Sequence, residues 1–232
     1  MHGEESHEAA GILFDFGGTL DSDGEHWLDR FYVLYEKAGL RLPPAEIKRA
    51  FYEADDRCKG NPEVICAGLR PLMEFHVHVQ FETLHLKAAG AERDMARSFC
   101  AQSEQYLRRN ALLLQALRDR YRLGVVSNFY GNVAILCEEA GLMESLRVIL
   151  DSVLLGVEKP DHRIFLTALD SLQLAPSRVV FVGDSHERDI VPAQELGMKT
   201  VWLPGPNPRT PLHEGRADAR ISSLTELPGV VP

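Results

Sequence analysis

The sequence predicts an α/β protein: a parallel-sheet core interrupted once by an inserted helical domain. Three observations carry that expectation. Short runs rich in Val, Ile and Leu recur along the chain, each closed by a polar or turn residue. Stretches with apolar residues at helical spacing separate the later runs, and a strand–helix–strand succession implies right-handed crossovers and a sheet covered on both faces. Residues 21–109 hold no convincing strand, and that span is too long for a single crossover.

Taken in order, "GILFDF" (11–16) is the first strand and "YRLGVVSN" (121–128) the second. "LRVILDSV" (146–153), "SRVVFVGD" (177–184) and "MKTVWLP" (198–204) follow as further strands. The helices between them are "NALLLQALRDR", "GNVAILCEEAGL", "PDHRIFLTALDSLQL" and "RDIVPAQELGM". Near the end, "ARISS" reads as an edge strand and "SSLTEL" as a last helical turn. The insertion reads as four amphipathic stretches: "EHWLDRFYVLYEKAGL", "PAEIKRAFYEADDRC", "PEVICAGLRPLMEFHVHVQFETLHLKAAG" and "ERDMARSFCAQSEQYLRR". Pro43-Pro44, Gly60-Asn61-Pro62 and Ala89-Gly90 punctuate them. The domain division that follows is a core of 1–20 and 110–232, with a helical domain of 21–109.

Composition narrows the function. A formal net charge of −9 argues against nucleic-acid binding, which needs a basic footprint. A small anionic substrate stays open, because a local site can oppose the global charge. Hydrophobic residues make up 45% and charged residues 25%, the balance of a soluble globular chain. Cys58, Cys66, Cys100 and Cys137 are scattered, without metal spacing, and read as buried reduced thiols. The start, "MHGEESHEAA", is acidic and has no apolar signal core. No run approaches the roughly 20 apolar residues of a membrane span. The expectation is a cytoplasmic protein with no membrane or nucleic-acid partner; oligomeric state is not legible.

Parallel sheets place ligands beyond the carboxyl ends of their strands. Asp15, Ser127 and Asp184 fall at three such ends. Asp15 can be a nucleophile, a metal ligand or a turn aspartate. Gly17 and Gly18 let backbone N–H groups approach an anion, and Thr19 can cap the next segment or touch the same anion. Ser127 and Asn128 can bind phosphate oxygens or cap the helix that starts near Gly131. Lys159 precedes a helix start marked by Pro160, with Asp161 in its first turn; it either points at the strand ends or is a solvated charge. Asp184 and Asp189, five residues apart, suit a hard cation such as Mg²⁺, or are a cap and a surface acid.

The order of these segments resembles the haloacid dehalogenase superfamily, mostly phosphatases. "DFGGT" resembles its first motif, DxDGT; "VVSN" the second; Lys159 in "EKP" the third; "GDSHERD" the fourth. The resemblance spans about residues 11 to 204 and implies a Rossmann-like core, with the insertion similar to a helical C1 cap. It also implies roles. Asp15 attacks phosphorus and forms an aspartyl-phosphate. Mg²⁺ is held by Asp15, the Gly17 carbonyl and Asp184, with Asp189 close by. Ser127 and Lys159 bind the transferring group, together with Gly18, Thr19 and Asn128. The substrate implied is a small phosphorylated molecule that the cap selects.

Gly17 departs from the pattern. The family's second aspartate, at this position, protonates the leaving alcohol and activates water, work worth about 10²- to 10⁴-fold. Three readings follow. The protein is a phosphatase, slow or restricted to good leaving groups, or one whose proton is shuttled by water or a cap residue such as His26, His76, His78 or His85. Or the chemistry is dehalogenation, or phosphonate hydrolysis through Lys48, Lys59 or Lys87; the paired acids argue against the former. Or the chain is a catalytically weak binding or regulatory protein. The substrate itself is not legible.

Overall fold

The computed structural model describes residues 9–213 and 215–231. The acidic start through Glu8, together with Glu214 and Pro232, lies outside the described residues. Strands β1 (Gly11–Phe14), β2 (Arg122–Ser127), β3 (Leu146–Asp151), β4 (Val179–Gly183), β5 (Lys199–Trp202) and β6 (Ala219–Arg220) form one sheet. Their order is β3-β2-β1-β4-β5-β6 and every pairing is parallel. "ARISS" thus does contribute the edge strand. Chain order reverses at β1, which pairs β2 on one side and β4 on the other. In such sheets that reversal opens a crevice beyond the strand ends, where ligands bind.

Side chains alternate across a strand, and β1 shows the consequence. Ile12 and Phe14 join a core cluster with Val125, Val180 and Val182, whereas Leu13 joins Val126, Ile164, Phe165 and Phe181 on the other face. Both faces are therefore dry, which is why β1 reads as an unbroken apolar run.

Helices α1 (Trp27–Lys37), α2 (Pro44–Cys58), α3 (Pro62–Ile65), α4 (Leu69–Thr83) and α5 (Ala89–Leu117) make up the insertion between β1 and β2. Pro44 opens α2 at its first position, where a missing N–H is harmless. Phe31, Phe51, Met73 and Phe99 of this region belong to the same cluster as Ile12 and Phe14, so the insertion packs directly on one face of the sheet.

Two helix boundaries differ from the sequence reading. The stretch from Pro62 to Gly90 is not one helix: α3 ends at Ile65 and α4 begins at Leu69. Gly68 lies between them because the Glu139 carboxylate occupies the place of its side chain and accepts the Leu69 N–H at 2.9 Å. Conversely, "ERDMARSFCAQSEQYLRR" and "NALLLQALRDR" fuse into α5, which runs through residue 109 without a break. No Gly or Pro follows Gly90 in this helix, and Asn110, where the sequence reading resumes the core, is buried and donates to the Leu20 carbonyl at 2.7 Å.

After β2, α6 (Val133–Glu139) precedes β3; α7 (Ser152–Leu155) and α8 (His162–Leu172) lead to β4; α9 (Val191–Glu195) leads to β5. A final 3₁₀ turn covers Leu224–Gly229. Of the cysteines, Cys58, Cys100 and Cys137 are buried, but Cys66 is exposed in the break between α3 and α4, so the buried reading fails there. Among the described residues no helix is long and apolar enough to cross a membrane.

Candidate active site

Asp15 follows β1 directly, and its N–H donates to the Val182 carbonyl of β4 at 2.9 Å. That bond holds the residue on the sheet at the reversal point. The Asp15 Oδ1 atom accepts the Ser127 hydroxyl at 3.0 Å and the Lys159 ammonium at 2.7 Å. Lys159 Nζ also reaches Asp189 Oδ1 at 2.7 Å. All four side chains are nearly or wholly buried. Burial alone would depress the Lys159 ammonium, but Asp15 and Asp189 reverse this and hold it above the usual lysine range. Lys159 is therefore a fixed cation beside Asp15, not a solvated surface charge.

The route by which Lys159 arrives there was not legible. Asn128 braces it at two points: Asn128 Nδ2 donates to the Lys159 carbonyl at 2.8 Å, and the Lys159 N–H donates to Asn128 Oδ1 at 2.7 Å. The Asn128 amide is thus spent on positioning the lysine. Neither Ser127 nor Asn128 caps α6; Asp151 does that work, accepting from the Gly131 and Val133 N–H groups at 2.9 and 3.2 Å. Pro160 does not start α8. Asp161 is its cap, accepting from the Arg163 N–H at 2.9 Å, and the helix begins at His162.

The acidic loop closes the other side. Asp15, Asp184 and Asp189 each present an oxygen, and these lie within 4.8 Å of one another. Asp189 Oδ2 also accepts the Ser185 N–H at 3.0 Å, so both of its oxygens already have protein donors. Among the described residues the Asp184 carboxylate accepts one long contact, from the Thr19 hydroxyl at 3.5 Å. Burial, then the charges of Asp15 and Asp189, push the Asp184 carboxyl well above the carboxylate range. A crowded set of three hard carboxylate donors fits Mg²⁺.

The two glycines after Asp15 differ. Gly18 has φ +89°, and a side chain there would lie 2.7 Å from Asp184; only glycine fits. Its N–H donates to Asp21 Oδ1 at 2.7 Å. Asp21, which sequence reasoning missed, also accepts from Trp27 Nε1 at 2.6 Å and Arg30 at 3.1 Å, tying the turn to α1. An acid three places after Gly18, able to reach back to its N–H as the last residue of a capping box does, was the available signal. Gly17 has φ −76° and ψ 119°, open to any residue. A Cβ there would meet Trp27 and Phe129 at 3.7 Å, ordinary contact.

A cavity of about 100 Å³ opens beside Asp15, Gly17, Ser127 and Lys159. The insertion supplies His26, Trp27, Phe51 and Asp55 to it, and the core adds Phe129, Tyr130 and Arg188. Of the four histidines considered, His26 alone lines it. His26 Nδ1 accepts the Leu28 N–H at 3.1 Å, and burial together with the charges of Arg209 and Arg188 drops its pKa to about 4; it faces neutral solution as an uncharged imidazole. His76 is buried behind the wall; His78 and His85 are exposed, as are Lys48, Lys59 and Lys87, none of which lines the cavity.

Residues 9–197 match the family model of haloacid dehalogenase-like hydrolases. The chain is 38% identical over 99 residues to haloacid dehalogenase-like hydrolase domain-containing protein 3 of Bos taurus, covering 42% of this chain and 39% of that protein. It is 31% identical over 143 residues to the phosphoserine phosphatase of Thermus thermophilus, covering 58% and 55%. The chain thus spans from two fifths to just over half of the length of these curated relatives. A dehalogenase crystal structure with an intermediate complex superposes with a TM-score of 0.63 over 97% of this chain and 98% of that one, at 20% identity; that likeness concerns the fold.

Proposed function

The chain belongs to the haloacid dehalogenase-like hydrolases, and from that premise we propose that it is a Mg²⁺-dependent phosphatase acting on a small phosphoric monoester. One observation carries the reading: a buried carboxylate at the sheet reversal, held by a buried lysine and a hydroxyl, in one cluster of oxygen donors with Asp184 and Asp189. The phosphatase named among the relatives supports the same class.

In this reading Asp15 attacks phosphorus; a bond from its carboxylate oxygen to phosphorus forms, and the bond to the ester oxygen breaks with its electron pair. Water then hydrolyses the aspartyl-phosphate and regenerates Asp15. Ser127 and Lys159 stand where the phosphoryl oxygens arrive and offset their charge. Asn128 fixes Lys159, while Gly18 and Thr19 shape the turn against Asp184. When bound, Mg²⁺ shields the negative charges of phosphate and site; Asp15, the Gly17 carbonyl and Asp184 would hold it, with Asp189 alongside. Residues 21–109 act as a C1-type cap that walls the cavity and chooses the substrate. With no acid at position 17, the first bond breaks readily only for leaving groups that depart as stable anions, so turnover of alkyl phosphates is slow.

The test is Mg²⁺-dependent release of p-nitrophenol from p-nitrophenyl phosphate, with Asp15→Asn as control. Release is expected in the wild type and absent in a folded Asp15→Asn. Activity that survives Asp15→Asn would assign the chemistry to another residue.

A further inference from the structure

The insertion's half of the cavity carries a carboxylate that the reading above leaves idle. Asp55 lies in the last turn of α2, its side chain 19% exposed, on the wall of the same cavity as Asp15. Its Oδ1 atom accepts twice: from His76 Nε2 at 3.1 Å and from the Tyr130 hydroxyl in a short hydrogen bond. Behind His76 the chain continues, with Gln80 Nε2 on His76 Nδ1 at 2.9 Å and the Tyr35 hydroxyl on Gln80 Oε1 at 3.2 Å.

The donors run one way. Tyr35 gives its proton to the Gln80 oxygen, so the Gln80 nitrogen faces His76. The amide N–H on Nδ1 then leaves the imidazole proton on Nε2, where it points at Asp55. Burial and the nearby Asp55 charge push the Tyr130 phenol well above its usual range, so Tyr130 donates as well. Both hydrogen bonds land on Oδ1, and among the described residues Oδ2 has no hydrogen-bond partner. Tyr35, His76 and Gln80 are fully buried, on α1 and α4. Buried polar networks are tolerated only when satisfied, and this one ends on a single oriented carboxylate.

The second observation is where that carboxylate faces. The missing side chain of Gly17 would rest against Trp27 and Phe129. Those rings pack on Tyr130, with centroids 6.2 and 4.9 Å away, and Tyr130 holds Asp55. Asp55 and Gly17 line the same cavity as Asp15, one from the insertion and the other from the core.

We propose that Asp55 is the general base of the second half-reaction, supplied from the insertion in place of the absent aspartate. This rests on the phosphatase reading. Water attacks phosphorus of the Asp15 aspartyl-phosphate; its proton passes to Asp55 Oδ2 as the new oxygen–phosphorus bond forms. The bond between phosphorus and the Asp15 oxygen breaks, and that carboxylate leaves with the electron pair. Asp55 then returns the proton to solvent. As a carboxylate with both donors on Oδ1, Asp55 has no proton to give in the first half-reaction, so the leaving oxygen departs unprotonated. His76 and Tyr130 are positioning residues.

Rapid mixing of the full chain with p-nitrophenyl phosphate and Mg²⁺ tests this. In Asp55→Asn the first half-reaction survives and the second stalls. The expected trace is a burst of about one p-nitrophenolate per chain, then steady turnover lowered by about 10²-fold or more. The double variant Gly17→Asp/Asp55→Asn restores a carboxylate from the other wall, so steady turnover recovers and the burst disappears. If a folded Asp55→Asn turns over at the wild-type rate with no burst, the proposal is overturned. A loss confined to ethanolamine phosphate, with p-nitrophenyl phosphate untouched, also overturns it and makes Asp55 an ammonium-binding group. A wild type that forms no phosphoenzyme and releases no p-nitrophenol removes the phosphatase reading itself, and the base with it.

Discussion

Gly17→Asp is the most informative single substitution in this chain. The backbone at position 17, φ −76° and ψ 119°, already suits an aspartate, so replacing glycine gains about 0.4–1 kcal/mol from the restricted unfolded chain. The new Cβ makes ordinary contacts at 3.7 Å with Trp27 and Phe129 and creates no clash. Against that gain stands one more negative charge near Asp15, Asp184 and Asp189, a penalty that Mg²⁺ relieves. Stability in Mg²⁺ is therefore expected to be close to wild type. Catalysis responds far more. An acid placed at the leaving oxygen contributes about 10²- to 10⁴-fold, or about 3–5 kcal/mol of barrier. That gain belongs to substrates whose leaving group needs a proton. The assay compares kcat/KM for an alkyl phosphate and for p-nitrophenyl phosphate in both proteins. The ratio is expected to shift toward the alkyl phosphate by about 10²-fold or more, with little change on the aryl ester. If a folded, Mg²⁺-stabilised Gly17→Asp gains nothing on any alkyl phosphate, leaving-group protonation does not limit this enzyme, and the reading of Gly17 is wrong.

Two further outcomes follow from the same geometry. Mg²⁺ is expected to raise the melting temperature, with about 2.7 kcal/mol of stabilisation at a concentration of 100 Kd; Asp184→Asn abolishes the gain, and a wild type whose melting is indifferent to millimolar Mg²⁺ contradicts the metal site. His26, with its pKa lowered to about 4 by burial and by Arg209 and Arg188, binds its proton more readily in the unfolded chain, so its contribution is constant above pH 6.5 and stability falls as pH drops from 6.5 toward 4, by at most about 3 kcal/mol. His26→Asn, which keeps a cap for α1, is expected to flatten that slope in urea titrations across the window, and an unchanged slope would show that other groups set it.

The strand ends were legible because a parallel strand buried on both faces must be apolar throughout and must stop at a polar residue. Asp15, Ser127 and Asp184 each mark such a stop, and the sheet order brings them to one edge. What was not legible depends on contacts across the chain. Nothing near Asp55 distinguishes it from Asp56, yet one is gripped by His76 and Tyr130 and the other pairs with Lys59 on the surface. The partners come from other elements, 21 and 75 residues away, beyond the reach of any local pattern. Asn128 is similar: a strand-end amide suggests an anion site or a cap, and only the fold reveals Lys159 docked on both its polar atoms. The pair Gly17-Gly18 makes the point most sharply. Residue type alone does not separate the two, and only the motif resemblance marks Gly17 as the departure. In the fold, Gly18 is demanded by its left-handed backbone and by Asp184 at 2.7 Å, whereas Gly17 has an ordinary backbone and room for a side chain. Glycine at 18 is thus a requirement of the turn, and glycine at 17 is not. The fold itself leaves position 17 free for an acid, and Asp55, on the wall of the same cavity, is the carboxylate we propose in its place.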